Sequence, residues 1–339
     1  MTKDRETALL TLLEQSYLVR GVAIKPVVEY GDGGGVYRVA RASEPDWILR
    51  VFAIDRPMER VRGDAAILKH LASQDVPCEQ LVSAADGSGS VDLDDRGVIV
   101  THFVKGVRPS RTINSIRRLG EVLGRVNAAP SVPADHRYLG RRAGAIPRED
   151  LDYGVAQLAR VADRVPAEAR EMFATLQMEL KATNDCEKLP FGLIHSDCHL
   201  DNTIESADGR ITLIDWVGAG QGPRLAPIGV LLYSLVVQSP GDVPANFERM
   251  SDSERHSAID AFAEGYCRHH ALTSPELDHL SDAIRVRPLV VAAREFSRGV
   301  EMDGPLDAPG WWTGYGEAEA IAVVVRDAFE RHGRDQIHR

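Results

Sequence analysis

The sequence predicts an α+β fold of two lobes: a small β-rich front lobe and a larger, mainly helical one. Three observations carry this. Short β-favouring runs with glycine- and proline-bearing turns crowd into residues 24–101. Beyond Val104 apolar residues recur at helical steps. Two short apolar strands interrupt the helical half, and each ends in a polar cluster. The 339 residues are 44% hydrophobic, enough for two lobes when one domain takes ~100–200 residues. The boundary falls between residues 104 and 105.

The elements follow in order. Leu9, Leu10, Leu13 and Tyr17 mark an opening amphipathic helix. Val27-Val28, Val36–Val39 and Trp47–Phe52 read as an antiparallel meander, with turns at Gly31–Gly35 and Ser43–Asp46. Val61, Ala65, Leu68 and Leu71 share a helix face. Val91–Leu93 and Gly97–Thr101 form a second hairpin that turns near Asp94-Asp95. In the second half, Ile116, Leu119, Leu123 and Val126 make one apolar stripe, and Phe173, Leu176 and Leu180 another. Residues 129–150 read as an irregular connection. Phe191–Ile194 and Ile211–Ile214 are expected to pair as a small internal hairpin. Further helices are expected over 228–238, 253–270, 276–286, 288–301 and 315–331.

The formal net charge of -10 argues against a basic nucleic-acid footprint. Cys78, Cys186, Cys198 and Cys267 lack C-x-x-C spacing, so neither a disulfide framework nor a cysteine zinc site is expected; reduced thiols in a cytoplasmic protein are the simplest reading. The apolar stretch from Leu9 is broken by Glu14, which fits neither a signal peptide nor a membrane span.

The chemistry concentrates in Ile194-His195-Ser196-Asp197-Cys198-His199-Leu200-Asp201-Asn202, followed by Leu213-Ile214-Asp215-Trp216. Phosphoryl transfer needs a carboxylate to orient the acceptor hydroxyl and oxygen ligands for the metal ions that neutralise phosphate charge. Magnesium prefers hard oxygen donors and retains waters, so one carboxylate and one amide oxygen suffice. Asp197 and Asn202 share one loop, and a short hairpin returns Asp215 beside it.

His195-x-Asp197-x-x-x-x-Asn202, with Ile214-Asp215-Trp216 thirteen residues on, resembles the motifs of aminoglycoside phosphotransferases and the related choline and homoserine kinases. The resemblance extends from about residue 20 to residue 240. It implies a protein-kinase-like fold, with Asp197 as catalytic base, Asn202 and Asp215 on magnesium, and His195 structural. It implies ATP or GTP as donor and a small hydroxylated molecule as acceptor: an aminoglycoside, an amino sugar or another small alcohol. Gly33, Gly34 and Gly35 are similar to the loop that covers the nucleotide; a plain hairpin turn is the bland alternative. Arg50 stands where the family carries a cation for the phosphates, with Asp64 as its acidic partner and Glu59 as the competitor. Phe103 or Val104 is placed against the adenine ring, or else in an ordinary inner strand. Pro227 stands where the family has an Asp that braces the catalytic loop.

Two other classes remain open. His195, Asp197, His199 and Asp215 have the spacing of a metal hydrolase. Pro227 points toward a nucleotide-binding protein without turnover. Cys198 reads as a buried filler rather than a nucleophile. Glu295, Glu301, Asp303 and Trp311-Trp312 are candidates for the acceptor pocket, each also explicable as surface charge or core aromatic.

Overall fold

A computed structural model describes residues 2–31, 33–110, 112–130, 147–195, 197–198, 200–236, 251–306 and 309–337; of 234–236, 309–314 and 335–337 it describes the backbone alone. Helix α1 (Lys3–Tyr17) starts where the Thr2 hydroxyl accepts the Arg5 N–H, and it buries Leu9, Leu12, Leu13 and Tyr17. Strands β1 (Ala23–Glu29), β2 (Gly35–Ala40), β3 (Trp47–Val51), β4 (Val91–Leu93) and β5 (Arg96–His102) form an antiparallel sheet in the order β1-β2-β3-β5-β4. Asp94 and Asp95 both have positive φ, 52° and 63°, as a tight hairpin with right-handed twist requires.

Strand alternation gives the sheet two different faces. Leu49, Val51, Val98 and Val100 pack with α1. Phe52 and Ile99 pack instead with helix α2 (Met58–Ser73) and with the helical lobe. Arg50, paired with Ile99 across the β3–β5 ladder, therefore sits on the face turned to the rest of the molecule.

The helical lobe is built from α3 (Ile113–Ala128), α4 (Pro147–Val161), α5 (Arg170–Ala182), α6 (Leu225–Val236), α7 (Asp252–Cys267), the short α8 (Ser274–Asp278), α9 (Leu280–Met302) and α10 (Pro309–Ile337). The connection expected over 129–150 stops short of residue 150, because α4 begins at Pro147, a residue suited to a first helical turn. Residues 131–146 lie outside the described part. The expected break at residue 287 is absent, and α9 runs through Pro288. A proline supplies helical φ and forfeits one hydrogen bond, which the buried face of α9 offsets.

The expected pairing of 191–194 with 211–214 does not occur. β6 (Phe191–Ile194) pairs with β9 (Gly220–Pro223), whereas β8 (Ile211–Leu213) pairs with β7 (Thr203–Glu205). Residues 77–79 of the front lobe lie alongside β8, with the Leu213 N–H donating to the Pro77 carbonyl at 3.0 Å. Both lobes thus converge on the strand that precedes Asp215.

Helices α3 and α7 meet through glycines. A Cβ on Gly265 would stand 1.9 Å from the Arg117 carbonyl oxygen, and one on Gly120 would stand 2.2 Å from that of Phe262. These neighbours are backbone, so relief needs the helices to separate. Gly265→Ala is expected to lower the melting midpoint by several degrees, since overpacking costs ~1–3 kcal/mol. Gly316→Ala on α10, where the new methyl meets nothing within 4 Å, is expected to leave it unchanged or raise it. Thermal unfolding of the two variants checks the contrast.

Candidate active site

The loop after β6 is held by His195, which is 2% exposed. The Asp197 N–H donates to His195 Nδ1 at 3.1 Å, which assigns the ring proton to Nε2; Nε2 then donates to the Ile214 carbonyl at 2.9 Å. The ring stands edge-on to Trp216, with 4.7 Å between centroids. A neutral imidazole therefore ties the Asp197 loop to the end of β8.

The 3-10 turn Leu200–Asn202 folds the loop back on itself. Asn202 Nδ2 donates to the Asp197 carbonyl at 2.8 Å and lies 3.4 Å from Asp197 Oδ2. The Asn202 carbonyl accepts the Ile214 N–H at 2.8 Å. Asn202 is thus joined through its side chain to Asp197 and through its backbone to the residue before Asp215.

Asp215 has φ +64°, a left-handed conformation that aspartate tolerates better than most residues. Arg50 Nη1 lies 2.9 Å from its Oδ1. Glu79 Oε1 accepts the N–H groups of Asp215, at 2.9 Å, and of Trp216, at 3.3 Å, while Oε2 accepts the Thr101 hydroxyl at 3.1 Å. Burial pushes the Glu79 carboxyl up from the usual carboxylate range; the charge on Asp215 reinforces this and the Arg50 guanidinium opposes it.

The expected Arg50–Asp64 ion pair is not formed. Asp64, 4% exposed, pairs with Arg56, and its Oδ1 accepts the Gly218 N–H at 3.0 Å. Its shorter side chain holds the backbone just beyond Asp215, and Arg50 is left to bind Asp215 itself. Glu59 is exposed.

At the glycine turn the Tyr30 N–H donates to the Gly34 carbonyl at 2.9 Å, and the Gly33 N–H to the Tyr30 carbonyl at 3.0 Å. Gly33 has φ +82°, and a Cβ there would lie 3.0 Å from an Arg96 guanidinium nitrogen. Gly33 is therefore favoured by its left-handed conformation, with the tip of the Arg96 side chain packed against it. Gly35 opens β2. Phe103 stacks against Arg38, with 4.2 Å from the guanidinium carbon to the ring centroid, and its N–H donates to the Asp46 carbonyl at 2.9 Å. Phe103 and Val104 line a groove of about 590 Å³ between the 72–80 segment and the β7–β8 turn.

Three further residues join this region without a signal in the sequence. Glu79 lies between a helix and a strand where no periodicity marks it as buried. Arg96 reads as a hairpin-turn charge. Arg287, from α9, places Nη2 3.6 Å from Asp197 Oδ1.

Among the acceptor-pocket candidates, Glu295 pairs with Arg294 and lies 3.9 Å from Arg298, Glu301 pairs with Arg160 and Arg164, and Asp303 is the left-handed cap of α9. The side chains of Trp311 and Trp312 lie outside the described residues. Cys198 is 1% exposed, and burial pushes its thiol up to about 12, which disfavours a thiolate nucleophile. Pro227 falls in the first turn of α6 and offers no carboxylate; the described hydrogen bonds on the Asp197 loop include those of His195 and Asn202. Both ring nitrogens of His195 are engaged, which removes it from the set expected for a metal hydrolase; His199 lies outside the described residues. What Asn202 and Asp215 offer is amide and carboxylate oxygen, a donor set suited to a hard cation. No described helix is long and apolar enough to cross a membrane.

Comparison with known proteins bears on the family and the fold. The model of the phosphotransferase enzyme family matches residues 31–269. A homoserine kinase of Rhodospirillum rubrum is 31% identical over 153 residues, 44% of this chain and 45% of that protein; the chain thus matches under half the length of that relative. A homoserine kinase of Hyphomonas neptunium is 28% identical over 242 residues, 69% of this chain and 70% of that protein. Among solved structures, an amicoumacin kinase in complex with AMP-PNP and Ca2+ superposes with a TM-score of 0.65 at 16% identity, over 96% of this chain and 95% of that one. The two-lobed kinase-like architecture is therefore shared with small-molecule phosphotransferases.

Proposed function

Because the chain belongs to the phosphotransferase enzyme family, we propose that it is a small-molecule kinase that moves the γ-phosphoryl group of ATP, or GTP, onto the hydroxyl of a short amino-alcohol acceptor of the homoserine class. In this reading residues 1–104 hold the nucleotide and residues 105–339 carry the catalytic loop and the acceptor. The observation that carries it is the joining of Asp197, Asn202 and Asp215 through one loop and one strand end, with Arg50 on Asp215. The acceptor class rests on the names of the relatives.

Each residue has a task that follows from its chemistry. Gly33, Gly34 and Gly35 let backbone N–H groups approach phosphate oxygens. Arg50 leaves Asp215 for the phosphates when nucleotide binds, and Asp64 keeps the segment after Asp215 in place. Phe103 and Val104 flank the base. Asn202 and Asp215 hold magnesium, which supplies charge neutralisation on the phosphate oxygens when bound. Asp197 accepts the proton of the acceptor hydroxyl. That oxygen forms a bond to the γ-phosphorus as the bond from phosphorus to the β–γ bridging oxygen breaks. The nucleoside diphosphate leaves with the electron pair. Positioning supplies most of the acceleration, with no covalent intermediate on the protein.

The test is an ATP-consumption assay with magnesium over a panel of small alcohols, L-homoserine among them, with the products weighed by mass spectrometry. A phosphorylated acceptor is expected. Nucleotide binding with no turnover on any acceptor overturns the kinase reading, as does zinc-dependent hydrolysis without nucleotide.

A further inference from the structure

The acceptor must approach Asp197, and what surrounds that carboxylate limits what can approach. Arg287 and Asp197 are both substantially open to solvent, with side chains 39% and 43% exposed. Their 3.6 Å separation is too long for a hydrogen bond, so the guanidinium donors are held near the base without being consumed by it. Helix α4 packs along α9, the helix that carries Arg287. Asp150, in the first turn of α4, is half-buried, and among the described residues it has neither a hydrogen bond nor an ion pair. Burial pushes its carboxyl up to about 6, the Arg287 charge draws it back, and Glu149 reinforces the rise. A sheltered carboxylate without a partner leaves room for a cation of the ligand, and an Arg with unspent donors leaves room for an anion.

We propose that Arg287 and Asp150 form the acceptor subsite, Arg287 binding a carboxylate and Asp150 an ammonium of a short zwitterionic alcohol whose hydroxyl meets Asp197. This rests on Asp197 being the base. The spacing limits acceptor length. In an extended four-carbon amino acid the terminal hydroxyl and the carboxylate lie roughly 5 Å apart. A hydroxyl on Asp197 then brings the carboxylate within reach of the neighbouring guanidinium. A bulky polycationic acceptor would set its positive charges against Arg287. The two side chains thus favour a molecule with one charge of each sign and oppose a multiply charged amine.

The experiment compares three acceptors on the full chain with ATP and magnesium: L-homoserine, 3-aminopropan-1-ol, which lacks the carboxylate, and 4-hydroxybutanoate, which lacks the ammonium. The wild type is expected to favour homoserine over either analogue by about 10²-fold or more in kcat/KM, as a site left with unpaired charge rejects the deficient ligand. Arg287→Ala is expected to raise KM for homoserine with kcat little changed, and to leave the constants for 3-aminopropan-1-ol near wild type. Asp150→Asn is expected to raise KM for both amines and to spare 4-hydroxybutanoate. Retained ATP binding and a partial rescue by Arg287→Lys show that the variants are folded. An equal fall in kcat for all three acceptors overturns the proposal, because Arg287 then acts on the phosphoryl group or on Asp197. Equal turnover of homoserine and 3-aminopropan-1-ol by the wild type also overturns it. If an aminoglycoside is phosphorylated and none of the three is, the kinase reading stands and the subsite falls. If nothing is phosphorylated, both fall.

Discussion

Asp197→Ala is expected to lower kcat by about 10³-fold while nucleotide affinity stays within a few-fold of wild type, the size of a lost general base together with lost positioning. The structure makes this substitution a clean one. Residue 197 holds its loop through its backbone: its N–H on His195 and its carbonyl under Asn202. Neither contact is lost with the carboxylate. The hydrogen bond to Ile214 and the packing on Trp216 belong to His195 and also survive. Among the described contacts of the carboxylate, Asn202 Nδ2 at 3.4 Å keeps its shorter bond to the Asp197 carbonyl, and Arg287 at 3.6 Å has solvent to fall back on. Steady-state rates with magnesium-ATP, beside direct titration of the nucleotide, separate the two quantities. Unchanged turnover in Asp197→Ala would remove the base from the mechanism, whereas a large loss of nucleotide affinity would mean that Asp197 belongs to the metal site.

The front lobe was readable in the sequence because its determinants are local. Leu49 and Val51 alternate with Arg50 and so assign two faces to β3 from five residues. Asp94-Asp95 marks a hairpin because short polar side chains tolerate the positive φ that such a turn demands. The apolar stripe of α3 is equally local, though its contact with α7 through Gly120 and Gly265 was not visible. Strand β9 shows the opposite case. Gly220-Gln221-Gly222-Pro223 carries no β-favouring residue and no alternation; it is a strand because the β6 backbone offers it partners. Once β6 was taken by β9, β8 could find its partner in Thr203–Glu205, and the simple hairpin expected from two apolar runs was displaced.

The same division runs through the site. Five residues of spacing are enough to put Asn202 back on Asp197, since both lie on one short loop. That Asp64 is buried follows from its place between Val61, Ala65 and Leu68 on the inner side of α2. Which donor it meets does not follow, because Gly218 arrives from 154 residues away. Glu79 is the stronger instance. Nothing in Pro77-Cys78-Glu79-Gln80 marks it, yet its carboxylate receives two backbone N–H groups and one hydroxyl. A buried carboxylate is costly without such partners, so its role became visible only with the chain folded.

Glu79 also determines how Asp215 should be tested. Asp215→Asn is expected to raise the magnesium needed for half-maximal rate by about 10²-fold, the upper end of what losing an outer partner of a metal ligand costs, and to lower kcat as well. Asparagine is the informative replacement. It shares with aspartate the tolerance for the left-handed conformation at φ +64°, so the backbone and its two hydrogen bonds to Glu79 are kept. Alanine would mix backbone strain with the lost ligand. The neutral amide also frees Arg50 from its 2.9 Å ion pair, so the nucleotide phosphates no longer compete with Asp215 for the guanidinium. Affinity for metal-free nucleotide should therefore hold or improve while affinity for the magnesium complex falls. Titrations of ATP with and without magnesium, on wild type and variant, measure that divergence. A parallel fall in both would mean that Asp215 serves the fold of the loop and not the metal.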